Sequence, residues 1–428
     1  MNEPEKVDQD DVLRARTLLL GSGWLSPREE VEAYRVLAKV SPLAYLPKLA
    51  EALVSYGRSR ELEDRPEQQL ALQAEAAATA RRIDAGHPRR AELLVRALDA
   101  YQHQLYAARR RAEGFAICEE MAEVGQWGFE RGQVSSPMYG HGRLAAVLAE
   151  EGCHQEAADI YGKCVQAEGP GNPTQVSPWT PWSKVEWAAE LDAAGHQDAA
   201  LAAFAQIIEA GRAALDVDEY PLVMLVWQLV HHARMLDAAG RRAEAGRAHQ
   251  EALALLAELA ETGERKSWSY FHASWTTLFA LSGRSAEPAA SPSAPAPPFG
   301  SDLIQWSPDV KQAYYDGLPA LEEEAAARAE AARTDPHGHL AEAVAVHRRL
   351  TIRSALCWQH RAYLVQEPLG PVFDQGVALA RRLADLEGAD RGREALGGAL
   401  ADRAMFLVAT RQYGAAHKDF LEAVPLLG

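Results

Sequence analysis

The amino-acid sequence predicts an all-α chain, an α-solenoid of antiparallel helix pairs. Three observations carry the prediction. The phrase Leu-Asp-Ala-Ala-Gly is written twice, from Leu191 and from Leu236, each time ahead of an Ala-rich amphipathic segment. Glycines recur at a spacing of 43 to 45 residues, as in helical-repeat arrays. Ala, Leu, Glu and Arg dominate while Val, Ile, Thr and aromatic residues are sparse, the profile of helix formers rather than strands.

Taken in order, the anchors define the elements. Gly195 and Gly240 lie 45 residues apart; Gly152 stands 43 before the first and Gly283 stands 43 after the second. Backward steps of 43, 45 and 43 from Gly152 reach Arg109, Asp64 and Gly21. Around the best anchors an amphipathic helix leads to a turn at the glycine, which is free to take the left-handed conformation that ends a helix, and a second Ala-rich helix follows. Small Ala145 and Ala157 let two helices approach closely, Leu144 and Leu148 fill the seam, and Tyr161 covers it. Trp187, Ala188, Leu191, Ala200 and Phe204 repeat these sizes, as do Ala233, Leu236, Ala245 and Ala252.

The order large, small, large, turn glycine, alanine, aromatic, small resembles the tetratricopeptide repeat. Leu144, Ala145, Leu148, Gly152, Ala157, Tyr161 and Cys164 follow that order, as do Trp187, Ala188, Leu191, Gly195, Ala200 and Phe204, with Ile207 departing at the last position. The final segment fits through Ala404, Leu407, Tyr413, Ala416, Phe420 and Ala423. The stretch SPLAYLPKLAEAL from Ser41 to Leu53 looks like a junction of Ala-rich actinobacterial arrays. The resemblance implies a right-handed superhelix of the long-period variant, since the common repeat is about 34 residues. It is strong from Leu98 to Gly283 and at the C-terminus, and weak around Asp64, where Arg60 and Gln69 fall at packed positions. A HEAT-like pair is the structural rival, and the placement of alanines and aromatics favours the tetratricopeptide reading.

Residues 1–283 thus form an N-terminal array. Between Pro288 and Pro298 five prolines remove backbone donors, so residues 284–300 are expected to be an extended, mobile Pro/Ala/Ser-rich linker or loop. Residues 301–428 are expected to continue the solenoid in helical pairs. Whether 284–300 is a hinge between two domains or a loop within one solenoid stays open at this level.

A formal charge of -16 and a pI near 5.4 argue against nucleic acid or anionic lipid as partner, because the signs repel. The acidic start MNEPEKVDQDD lacks the pattern of a secretory signal, and no apolar run approaches the roughly 20 residues of a membrane helix. Cys118, Cys153, Cys164 and Cys357 show no CxxC spacing. A cytoplasmic protein with reduced thiols is expected.

No nucleotide, zinc-protease or hydrolase motif occurs, and no catalytic residue, cofactor or metal is assigned. GPGNPTQ, from Gly169 to Gln175, lacks the Lys-Ser/Thr of a phosphate loop and reads as a connector. Cys357 and His360 share a helix face with His347 upstream, but repeat helices bury such residues routinely and no full ligand set emerges; the His337–His339 loop and the His231–His232 pair are weighed alike. The acidic run from Leu321 to Asp335 reads as a solvated helix face.

The leading candidates for recognition are aromatic. Tyr139, Trp182, Trp227 and Tyr270 each stand thirteen residues before an anchor glycine. With neighbouring helices about 10 Å apart they would form a column, which in the resembled family tends to face a concave groove, and His103, Arg234 and Asp237 would add polar specificity. The competing reading, that these rings pack into the core, is the commoner fate of large aromatics. The family's Lys/Asn/Arg clamp for C-terminal carboxylates is not found. The expectation is a non-enzymatic scaffold or adaptor holding a neutral or basic peptide or partner helix, with homo-oligomerisation left open. The rival is a regulatory protein sensing a small molecule or signalling peptide inside the superhelix; an enzyme with its site between repeats ranks below both.

Overall fold

The computed structural model describes residues 8–21, 25–168, 180–216, 220–266, 271–359, 366–387 and 390–427. Among these the regular structure is helical, with no strand. The chain divides into two compact units: residues 1–147 with 307–309, and residues 148–306 with 310–428.

The first unit contains α1 (Gln9–Leu20), α2 (Pro27–Val40), α3 (Pro42–Gly57), α4 (Pro66–Arg81), α5 (Arg90–Ala107) and α6 (Arg111–Glu130), each packed on the one before it. The start of α2 is fixed by a capping box, in which Ser26 and Glu29 satisfy each other's backbone donors. Around Asp64 both Leu62 and Gln73 are buried, and Gln73 Nε2 donates to the Val54 carbonyl at 3.2 Å. The unit boundary falls inside α7 (His141–Glu150).

The second unit holds α8 (His154–Glu168), α9 (Thr180–Ala193), α10 (Gln197–Asp216), α11 (Leu222–Ala238), α12 (Arg242–Thr262), α13 (Phe271–Leu281), α14 (Pro308–Asp316), α15 (Leu318–Thr334), α16 (Pro336–Cys357), α17 (Gln366–Glu387), α18 (Asp390–Ala409) and α19 (Tyr413–Ala423). From α8 to α12 each helix packs on the next, and so do α15 to α19. The join between the two runs is made by α12 against α19, the last helix of the chain. The runs also meet where α11 packs on α18, and α13 packs against α11, α16 and α18.

One turn recurs. An N–H donates back to a leucine carbonyl five residues earlier, from Arg110 to Leu105, Cys153 to Leu148, His196 to Leu191, Arg241 to Leu236 and Gln412 to Leu407, at 2.8 to 2.9 Å. The residue before each donor is left-handed: Arg109 at φ 58°, Gly152 at 80°, Gly195 at 85°, Gly240 at 73° and Arg411 at 60°. This is the bond that closes a Schellman cap, and it satisfies a carbonyl that the helix end leaves free. Gly283 departs, with φ -106° and a short 3-10 turn, Arg284–Ala286, after it. Gly21 and Asp64 do not adopt the left-handed turn either.

Close helix approach follows from the small residues. Ala145, Ala157, Ala188, Ala200, Ala233 and Ala245 are buried. Nine residues past each left-handed turn stands the seam-covering residue: Cys118, Tyr161, Phe204, His249 and Phe420, all buried. His249 and Phe420 meet edge to face at 6.0 Å where α12 joins α19.

The Pro-rich segment has a turn closed between Ser291 and Ala294, and it contacts the helices around it. Ala296 N–H donates to the Glu150 carbonyl at 2.9 Å, and the Glu287 carboxylate lies 2.9 Å from Arg353 and 3.6 Å from Arg349. Phe299 is buried edge-on against Trp306 and Tyr314. Residues 284–300 lie wholly within the second unit, and the division falls in α7.

Candidate functional site

The second unit carries a half-open cavity of about 880 Å³ between α11, α12, α16, α17, α18 and the C-terminal residues Pro425 to Leu427. Its walls are mixed. Val344, Phe373, Val377, Leu383 and Leu426 supply apolar surface. The charged groups come from four helices: Arg234 and Asp237 from α11, Arg242 from α12, Arg348 from α16, and Arg393, Glu394 and Asp402 from α18.

The buried centre is Asp402, 4% exposed, which receives two guanidinium groups. Arg234 Nη2 approaches Oδ1 at 2.5 Å and Arg348 Nε approaches Oδ2 at 2.8 Å. Burial alone would raise the Asp402 pKa, yet the two arginines outweigh it and hold the carboxyl below its ordinary value. Arg348 also donates to the Ser282 hydroxyl at 2.8 Å and to the Ser282 carbonyl at 3.3 Å. Arg234 is shifted down, first by burial and further by Arg348, while Asp402 opposes the shift. Such a buried network fixes side-chain geometry because each charge loses its partner if another moves.

Asp237 stands one turn along α11 from Arg234, on the same face. Burial raises its pKa to about 6; Arg242 pulls it down and Glu394 pushes it up. Neither Asp237 nor Glu394 makes an ion pair or side-chain hydrogen bond with the described residues. His347 also lines the cavity, and its Nε2–H donates to the Val372 carbonyl at 2.8 Å. Burial lowers its pKa and favours the neutral ring, against the opposing pull of the bond to Val372.

The sequence-predicted residues scatter. Arg234 and Asp237 are brought together in the cavity. His103 is exposed on α5 of the first unit, and Tyr139 is half-buried against that unit's core. Trp182 is partly buried on the second unit's core. Trp227 is 3% exposed, and its indole N–H donates to the Met405 carbonyl at 3.3 Å. The helix is buried on all sides at this point, from Val223 to His231. Tyr270 lies outside the described residues, as do His360 and GPGNPTQ. Cys357 is partly buried and pushed up to about 11 by burial, the opposite of an activated thiol. No group of three His, Cys, Asp or Glu that could hold a metal occurs among the described residues. None of their helices is long and apolar enough to cross a membrane.

Arg348, Glu394 and Asp402 were not singled out in the sequence. Their one signal is a charged residue on the packed face of a repeat helix, and Asp402 two residues before the small Ala404 is the clearest case.

Comparison with known proteins adds little. No family model matches, and no curated protein matches. Among solved structures, BtubC (BKLC) from P. vanneervenii aligns over 60% of this chain and 96% of its own, at 16% identity and a TM-score of 0.41. That likeness is too distant to bear on fold or function.

Proposed function

We propose that the chain is a non-enzymatic binding protein of the tetratricopeptide-repeat type, an adaptor that holds a peptide segment in the cavity of its second unit. The supporting observation is the cavity itself: about 880 Å³, apolar walls, and a few convergent charges including Arg234 and Asp237. Binding sites have this make-up, and their volumes run to about 1,000 Å³. The chemistry present is recognition chemistry. Asp402 is locked between two arginines, His347 is tied to a carbonyl, and neither is poised to exchange a proton with a substrate.

A second reading, a regulatory sensor of a small molecule or signalling peptide, draws on one feature. The cavity walls come from α11 and from α16 to α18, far apart in sequence, so an occupant would bridge the array and the C-terminal run and bias their packing.

Gly398 tests the peptide reading. It lines the cavity, and a Cβ built there meets nothing within 4 Å. Peptides selected by display on the wild-type protein are expected to bind Gly398→Phe at least about tenfold more weakly, a loss of about 1.4 kcal/mol, with the thermal midpoint largely kept. Equal affinity for both proteins would place the binding site elsewhere.

A further inference from the structure

The repeat supplies its own comparison for Asp237. The two Leu-Asp-Ala-Ala-Gly copies place Asp192 in the last turn of α9 and Asp237 in the last turn of α11, each three residues before a left-handed glycine. Asp192 is answered by a guanidinium: Arg284 Nη2 lies 3.0 Å from its Oδ2, and Nη1 donates to the Ala189 carbonyl at 2.7 Å. One planar group thus neutralises the carboxylate and caps the helix end, where the backbone dipole is negative.

At Asp237 the same helix end opens on the cavity without that group. The arginines nearby are not substitutes. Arg234 and Arg348 are committed to Asp402, and Arg242 and Arg393 make no ion pair with Asp237 within 4 Å. Glu394 adds a second carboxylate, and His347 is neutral and bonded to Val372. A carboxylate at a helix C-terminus, partly out of water and beside another carboxylate, calls for a cation from outside.

Resting on the peptide-binding reading above, we propose that the cavity seats an arginine side chain of the bound peptide, its guanidinium on Asp237 as Arg284 sits on Asp192. The residue at the place of Ala189 is Arg234, so its backbone carbonyl is the second acceptor. The apolar walls take the residues flanking the arginine. Burial raises the Asp237 carboxyl to about 6, so its hold on a guanidinium weakens as the pH falls below that value.

The test uses the full chain and two pools of acetylated, amidated hexapeptides with random apolar flanks, one with a central arginine and the other with its neutral isostere citrulline. Retention is read by native mass spectrometry. The arginine pool is expected to bind at pH 7.5 and to lose at least about tenfold in affinity in Asp237→Asn, which keeps the side-chain shape, and up to about tenfold in the wild type at pH 5. Circular dichroism of Asp237→Asn should match the wild type. Equal retention of the citrulline pool, or undiminished retention by Asp237→Asn, overturns the arginine anchor and leaves peptide binding standing. Retention of neither pool overturns the peptide reading and the anchor with it.

Discussion

Trp227→Ala is expected to cost about 3–5 kcal/mol of stability, the range for emptying a large aromatic site in a packed core. Trp227 is 3% exposed inside the second unit's core, and its truncation also strands the Met405 carbonyl that its indole bonds. Urea unfolding followed by circular dichroism reads the effect. A groove-facing tryptophan would behave differently: stability would stay within about 0.5 kcal/mol and only ligand capture would fall. The aromatic column would then have to be restored as the recognition surface.

Acidification from pH 7 to pH 5 is expected to weaken the second unit by several kcal/mol. His231 is buried and brought down to about 3, chiefly by burial and then by Arg234, His232 and Arg284. His249, 2% exposed, is brought down to about 4 by burial and Arg234. Both folded values lie below the 6.5 of a free histidine, so below that pH the unfolded chain binds more protons than the folded one. The stability that the neutral rings contribute is complete above pH 6.5 and is lost progressively as the pH falls toward 4 and 3. Each histidine then costs about 2 kcal/mol between pH 7 and pH 5. Asp237 has the opposite sign, since its folded value of about 6 lies above 3.8, and its protonation returns at most about 1 kcal/mol over the same interval. Urea midpoints at the two pH values measure the net loss, and His231→Gln should remove a large part of it. A midpoint independent of pH would show that these rings are not held neutral in the folded state.

Much of the fold is legible because the left-handed turn leaves a sequence mark. A glycine after Leu148, Leu191 and Leu236, with alanines where helices touch, follows from sterics that any copy of the repeat must obey. Arg109 shows the limit, since an arginine takes the same conformation with no glycine to announce it, and Gly283 shows the converse. The pairing of α12 with α19 was not legible. Periodicity fixes which face of a helix is apolar, not which distant helix covers it, and His249 at a seam position disguised one partner of Phe420.

The site divides the same way. Arg234 and Asp237 are spaced to share a face of α11 and could be read from the chain. Arg348, Glu394 and Asp402 reach them from helices more than a hundred residues later, through packing that no local pattern encodes. The Trp227 side chain is buried because LVMLVWQLV is apolar on nearly every side, the mark of a helix packed all round.

Hydrogen–deuterium exchange on the full chain, with and without a display-selected peptide, addresses ligand binding in the cavity most directly. Slower exchange is expected in the last turn of α11 from Arg234 to Gly240 and in α18 from Glu394 to Asp402, with the helices of the first unit unchanged. Protection confined to α5 and α6, with α11 and α18 unaltered, would contradict it.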